Sequence, residues 1–288
     1  MEEPSQMSGL PRVSVLMLTY NRPKMIGRAI ASLAAQSCQD WELVIVQDGD
    51  NPETERLVGE WTAQDSRIFF FRRSVVGSIA EASNFGLEKM RGEYVAILDD
   101  DDYWAMPGKL DRQVEFLDAH PDHVAVGGGY IVIDEHGAER GRYVKPETDI
   151  EIRRGALKAN PVANSTAMFR RVIGGQPARY DASMRQFADW DFWLAVGAQG
   201  KLHNFREYLA YYAMWEGGSS FKHQKANAQA ALRIVEKHRA RYGGYASAYT
   251  LAALYLGYAY LPERVRRVSN SSLSALKKSL TGSRPAAS

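Results

Sequence analysis

The sequence predicts an α/β fold: a mostly parallel sheet flanked by helices, with a mixed second half and a helical appendage at the C-terminus. Short apolar runs alternate with amphipathic stretches through the first third of the chain. These runs are continuous rather than alternating, as in strands covered on both faces. Their order, βαβαβαβ, requires crossover connections and therefore parallel pairing.

The elements follow in turn. Val13-Ser14-Val15-Leu16-Met17-Leu18 reads as the first strand, and Pro23 to Ala35 as a helix with Pro23 in its first turn and Ile26, Ile30 and Leu33 on one face. Leu43-Val44-Ile45-Val46 is the second strand, ended by Gln47-Asp48-Gly49-Asp50-Asn51-Pro52, and a helix from Glu53 to Ala63 follows. Ile68-Phe69-Phe70-Phe71 is the third strand. A helix from Ile79 to Met90 then leads through Arg91-Gly92 into the fourth, Tyr94-Val95-Ala96-Ile97-Leu98. Pro107 opens a helix to Ala119. Beyond it, Val124 to Ile133 reads as extended chain, Asp134-Glu135-His136-Gly137 as a hairpin turn and Arg142-Tyr143-Val144 as the return strand. The triplet Gly127-Gly128-Gly129 lacks the spacing of a nucleotide loop and reads as a bulge or a close backbone approach.

The predicted organisation is a loose arm over 1–10, a folded domain over 11–223, a helical extension over 224–280 and a disordered tail over 281–288. The folded domain divides into halves at 11–105 and 106–223. With 288 residues, 45% of them hydrophobic, the chain can bury a full core. A net charge of +2 provides no field that calls for nucleic acid. The single cysteine, Cys38, excludes an internal disulfide and a thiolate zinc cluster and suits a reducing cytoplasm. The first ten residues lack the basic and apolar regions of a secretory signal.

Chemistry concentrates at Asp99-Asp100-Asp101-Asp102, directly after the fourth strand. Adjacent carboxylates repel one another, so the run calls for a cation, hydrogen-bond donors or open water. Alternation along an extended strand end places Asp99 and Asp101 on one side and Asp100 on the other. An all-oxygen pair suits Mg²⁺ or Mn²⁺.

In this setting the motifs resemble glycosyltransferase family 2 of the GT-A fold, over Val13 to His223 and in the family's order. The matching elements are Val13 to Leu18 with Thr19-Tyr20-Asn21-Arg22; Gln47-Asp48-Gly49-Asp50; Ala82-Ser83-Asn84-Phe85-Gly86; Leu98-Asp99-Asp100-Asp101-Asp102; and Ala188-Asp189-Trp190-Asp191. The resemblance implies a Rossmann-like domain that binds a nucleotide-sugar donor. Thr19, Tyr20, Asn21, Arg22, Asp48, Asn84, Asp99 and Asp100 are its implied donor-binding residues. Asp48 would accept from uracil N3–H, while Asp101 and Asp99 would hold Mn²⁺ or Mg²⁺ on the diphosphate, with His223 as a further candidate. Gln47, Ser83 and Ala188 stand where the family usually has charged residues, and Arg72 or Arg73 is available to compensate at Ser83.

Asp189 takes the place of the family's general base, with Asp191 as the alternative; a carboxylate at a helix start is also a plain N-cap. Trp190, Asn164 and Ser165 fall on the acceptor side, and Lys109 reads as a first-turn surface lysine. Asp102 reads as a cap for the helix entered at Pro107 or as a ligand-orienting group. The implied reaction is inverting transfer of a sugar, from a UDP-sugar by the implied role of Asp48, to a hydroxyl of a glycan or lipid-linked acceptor. The alternative is a noncatalytic nucleotide-sugar-binding module. The tyrosine-rich stretch Ala246 to Leu261, followed by Arg264, Arg266, Arg267, Lys277 and Lys278, suits either peripheral contact with the inner face of the cytoplasmic membrane or packing against protein.

Overall fold

A computed structural model describes residues 9–74, 77–214 and 223–262. The arm at 1–8, the segment 215–222 and everything from 263, including the expected tail, lie outside the described residues.

The elements in chain order are β1 Val13–Thr19, α1 Pro23–Ala34, β2 Trp41–Asp48, α2 Pro52–Gln64, β3 Ile68–Arg73, α3 Ile79–Leu87, β4 Tyr94–Ile97 and β5 Tyr103–Trp104. There follow α4 Lys109–Ala119, β6 His123–Ile133, β7 Glu139–Tyr143, α5 Asp149–Gly155, a 3-10 turn Asn164–Thr166, β8 Met168–Arg170, β9 Val172–Ile173 and β10 Gln176–Pro177. The chain continues through α6 Ala188–Gly197, β11 Lys201–Ala213, α7 Gln224–His238 and α8 Tyr245–Tyr260.

One sheet organises the molecule, in the order β3-β2-β1-β4-β8-β6-β11-β5, with β7 joined to β6. The first four strands pair in parallel. From β4 onward the sheet is mixed: β8 is antiparallel to both β4 and β6, whereas β11 runs parallel to β6. The predicted class, mostly parallel and then mixed, is the one observed. Alternation explains the two cores. In β1, Val13, Val15 and Met17 face one layer with Ile30, Leu33 and Leu43, and Leu16 faces the other with Val44, Val46 and Phe169.

Local chemistry sets the helix starts. Pro23 opens α1, whose buried face is Ile26, Ala29, Ile30 and Leu33. In α2 the Asn51 side chain caps Thr54 N–H at 2.9 Å, an arrangement worth about 1 kcal/mol. Ser78 and Glu81 form a capping box on α3, as do Thr148 and Glu151 on α5. The predicted turn before β7 is present, with Gly137 at φ +81°. Gly127 packs closely as expected: a Cβ there would lie 2.5 Å from Asn204 Oδ1 and 2.6 Å from Val162. The helix expected from Pro107 instead begins at Lys109.

Candidate active site

The four aspartates do not continue the strand. After β4 they form a turn closed by Asp102 N–H donating to the Asp99 carbonyl at 3.1 Å, so strand alternation does not set their directions. Asp99 accepts from Asn164 Nδ2 at 3.1 Å on both oxygens, with Ser165 Oγ 3.2 Å away. Asp102 is buried and accepts from Ala213 N–H at 2.9 Å and from the Ser165 hydroxyl, so it ties the turn to β11 rather than capping α4. Asp100 and Asp101 turn toward Arg22, whose guanidinium lies 3.2 Å from Asp100 Oδ1 and contacts the Asp101 carboxylate.

Crowding of this kind favours protonation. Burial, and then the charge of Asp101, push Asp99 up to about 6. Burial pushes Asp100 up to about 7 against the pull of Arg22, and raises Asp102 well above the carboxylate range. The Asp100 carboxylate lies between Thr19 and the Arg22 guanidinium. Among the described residues no three His, Cys, Asp or Glu side chains close into a complete metal shell. A cation here would therefore take oxygen ligands from the turn and the rest from outside the protein.

The turn meets two loops at the carboxyl ends of the parallel strands, where open α/β sheets bind ligands. At the end of β1, Thr19 is buried beside Asp100, and the Tyr20 ring is 55% exposed. Asn21 adopts φ +54° and accepts from Asn51 Nδ2 at 2.7 Å. At the end of β2, Asp48 pairs with Arg73 at 3.0 Å and accepts from Gly77 N–H at 2.8 Å. Arg73 thus serves Asp48, and Arg72 lies against Glu55 and Asp50. Asn84 is committed elsewhere: its amide donates to the Tyr180 carbonyl at 2.9 Å and accepts from Tyr180 N–H at 2.8 Å.

On the other side of Asn164 opens a cleft of about 290 Å³. Tyr130 and Val132 of β6, Tyr143 and Lys145 at the end of β7, and Tyr212 and Met214 at the end of β11 form its walls. Asn160, Asn164 and Asp189 form its polar side. Tyr130 stacks on Tyr143 at 5.5 Å between ring centroids and tilts against Tyr212 at 5.6 Å.

Asp189 is the second residue of α6, a helix entered through Phe187 at φ +54°. Among the described residues, Asn21 and Phe187 are the only non-glycine residues with positive φ; Asn21 follows β1 and Phe187 leads into α6. Burial pushes the Asp189 carboxyl up, offset in part by the N–H groups of Trp190 and Asp189, by Lys145 and by Asn160, which donates at 2.7 Å.

The other residues expected here are directed differently. Two positions along a helix rotate a side chain by about 200°. Asp191 accordingly leaves the cleft and pairs with His238 at 2.8 Å and Lys237 at 2.7 Å. Trp190, expected on the acceptor side, is buried in the core and donates to the Ala156 carbonyl at 2.8 Å. Ser165 is buried between Asp99 and Asp102 and acts behind the site. His223 is exposed at the head of α7 and makes no side-chain hydrogen bond or ion pair among the described residues.

Lys109 corrects another expectation: it is fully buried. Its ammonium donates to Gln113 at 2.7 Å and lies 4.1 Å from the Trp104 ring centroid. Gln113 and Trp104 in turn hold the carbonyls of Thr166 and Ser165, so this buried group supports the 3-10 turn behind Asp99. Sequence reasoning missed the tyrosine wall and Lys145. Their only signal is a bulky residue repeated at i and i+2 at the ends of three strands.

An acidic turn at the carboxyl ends of parallel strands, with a buried carboxylate in the neighbouring cleft, is an arrangement suited to group transfer. The family model described as glycosyl transferase family 2 matches residues 14–173. EpsE of Bacillus subtilis, which carries a glycosyltransferase name, is 31% identical over 224 residues, covering 75% of this chain and 77% of its own. The glycosyltransferase MJ1057 of Methanocaldococcus jannaschii is 30% identical over 207 residues, 70% of each chain.

Among solved structures, residues 1–349 of Staphylococcus aureus TarS in complex with UDP-GlcNAc superpose with a TM-score of 0.66 at 17% identity. The match covers 93% of this chain and 77% of that one; a separate match to the longer TarS chain, at TM-score 0.63, covers 86% of this chain and 43% of that one. The mannosyltransferase PcManGT of Pyrobaculum calidifontis, in complex with GDP-Man and Mn²⁺, gives 0.63 at 18% identity, covering 96% and 84%. The chain belongs to glycosyl transferase family 2 and has the GT-A fold. It is a transferase.

Proposed function

We propose that the protein is an inverting glycosyltransferase that moves a sugar from a nucleoside-diphosphate donor, a UDP-sugar, to a hydroxyl of a glycan or lipid-linked acceptor. One observation carries this reading. Asn164 bonds Asp99 and also lines the cleft that holds Asp189, so a single side chain separates the acidic turn from the carboxylate. A donor on the turn and an acceptor in the cleft would then meet across Asn164.

In the reaction Asp189 accepts the proton of the acceptor hydroxyl, whose oxygen bonds to the anomeric carbon. The bond from that carbon to the diphosphate oxygen breaks, and its electron pair leaves with the nucleoside diphosphate. Attack from the face opposite the leaving group inverts the centre. Asp99 and Asp101 would hold Mn²⁺ or Mg²⁺: the donors are all oxygen, and the charge of Asp101 on the buried Asp99 favours an added cation between them. Bound there, the ion supplies positive charge to the departing diphosphate. Tyr20 offers an exposed ring to the base, and Asp48 an acceptor for uracil N3–H. TarS with UDP-GlcNAc and PcManGT with GDP-Man and Mn²⁺ support the donor class and the divalent ion.

The C-terminal helix supports a lipid-linked acceptor. α8 carries no charged side chain, exposes Tyr249, Leu254 and Tyr260, and precedes Arg264, Arg266 and Arg267 in sequence. Such a segment suits the anionic inner face of the cytoplasmic membrane. No helix among the described residues is long and apolar enough to cross a membrane.

The deciding experiment pairs a thermal-shift panel of nucleotide sugars, with Mn²⁺ or chelator, with transfer assays of Asp189→Asn. Metal-dependent stabilisation by UDP-sugars, with donor binding kept and transfer lost in Asp189→Asn, is the expected result. Undiminished transfer by Asp189→Asn would remove the base assignment.

A further inference from the structure

We infer that Lys145 and Asn160 are the positioning residues of Asp189: Asn160 fixes the direction of its carboxylate, and Lys145 fixes Asn160 and supplies the charge that keeps the carboxylate ionised. The inference rests on the reading of Asp189 as the base and adds what prepares it.

The geometry is a relay. Asn160 Nδ2 donates to Asp189 Oδ2 at 2.7 Å, and its Oδ1 accepts from Val162 N–H at 3.3 Å, so the amide is held with its NH₂ end on the carboxylate. Lys145 Nζ donates to the Asn160 carbonyl at 2.8 Å, which anchors the backbone from which that amide projects. Lys145 makes no other hydrogen bond or ion pair among the described residues. It lines the same cleft as Asp189, where a half-buried ammonium with a single neutral partner is electrostatically costly unless a nearby anion compensates it. Asp189 is that anion.

Charge balance in the cleft agrees. The groups that act on Asp189 electrically include Lys145 after β7, Asp99 of the acidic turn, Tyr180 ahead of α6 and Tyr212 of β11. Burial raises the phenols of Tyr180 and Tyr212 well above their usual range, so both stay neutral. Asp99 repels the base, and Lys145 opposes that repulsion. One carboxylate and one ammonium then give a cleft without net charge, walled by tyrosine rings, suited to an uncharged sugar hydroxyl. Burial in turn holds the Lys145 ammonium down to about 8, so its support is present below that pH and withdrawn above it.

The test uses Lys145→Met, which keeps length and removes charge, Lys145→Arg, which keeps charge, and Asn160→Ala. Two readouts are taken: the pH profile of kcat, and the titration of the Asp189 carboxyl by carbon-13 NMR of aspartate-labelled protein, assigned by its loss in Asp189→Asn. Lys145→Met should raise the Asp189 midpoint by about one pH unit and move the acid limb of the kcat profile upward with it, while donor KM stays within about twofold. Lys145→Arg should restore the wild-type midpoint. Asn160→Ala should lower kcat at every pH and also raise the midpoint. An unchanged midpoint in Lys145→Met, or an arginine variant that behaves like the methionine one, overturns the inference. The NMR titration needs no turnover, so loss of the base assignment and loss of this inference are separate results.

Discussion

One guanidinium nitrogen of Arg22 contacts the Asp101 carboxylate while lying 3.2 Å from Asp100 Oδ1, which makes Arg22 a resident cation of the acidic turn. An incoming divalent ion competes with that charge for Asp101. Arg22→Met should therefore bind Mn²⁺ about three- to tenfold more tightly in the absence of nucleotide, measured by calorimetry or by the spectrum of bound Mn²⁺. Weaker binding would mean that Arg22 helps to build the metal site rather than competing with it.

Lys109 makes stability depend on pH. Burial holds its ammonium well below the ordinary lysine value of 10.5, so between the two values the unfolded chain carries the extra proton. Stability then rises with pH across that window, by up to about 1.4 kcal/mol per pH unit for each such lysine. Lys109→Met should reduce the slope of unfolding free energy between neutral and alkaline pH, leaving the share due to Lys145. At pH 7 the relieved desolvation and the lost Gln113 bond oppose each other, and the net change should stay within about 1 kcal/mol. Denaturant unfolding at several pH values reads both effects.

Asp191 gives the opposite dependence. Burial pushes its carboxyl up, but hydrogen bonds from His238 and Lys237 prevail and hold it below the usual range. A carboxyl depressed in this way stabilises the fold above its unfolded value, and the contribution is lost as pH falls through the folded one. Because Lys237 is partly exposed, Asp191→Asn should cost about 2 kcal/mol rather than the full value of a buried pair, and should weaken the acid dependence of unfolding. Transfer per folded molecule should stay near wild type, which separates Asp191 from Asp189.

The C-terminal helix should bind lipid through both of its characters. Co-sedimentation with vesicles containing anionic phospholipid should exceed that with neutral vesicles and fall with added salt. Leu254→Glu together with Tyr260→Glu, on the exposed side of α8, should reduce it at least several-fold. Recovery with neither vesicle type would favour a protein partner for that surface.

The fold was legible where the chain is monotonous. Continuous apolar runs in β1, β2 and β4 have only one use, as parallel strands covered on both faces, and the helix starts carry their own capping residues. β11 was illegible for the converse reason. His203, Asn204, Arg206 and Glu207 interrupt it, and its register against β6 shifts between Asn204 and Tyr208, which breaks the alternation that marks a strand.

At the site, four identical side chains have no periodicity, so nothing in Asp99 to Asp102 distinguishes a turn from a strand end. The tyrosine wall depends on pairings far apart in the chain, Tyr130 opposite Tyr143 and Val132 opposite Tyr212, which only the folded sheet supplies. Lys109 was misread because its position in the first turn of α4 says nothing of Trp104 lying across it.

The reciprocal bonds between Asn84 and Tyr180 bear on how such enzymes can be recombined. Two hydrogen bonds between α3 and the segment ahead of α6 join stretches of chain that lead to different parts of the site, one on the side of the acidic turn and one leading to Asp189. A hybrid that takes its first part from one relative and its remainder from another would inherit only one member of the clasp. Unless its new partner also pairs amide with backbone, a half-buried amide would be left without acceptor or donor, and the entry to α6 would lose its brace. Exchange of acceptor range between relatives should therefore succeed when the two positions travel as a unit.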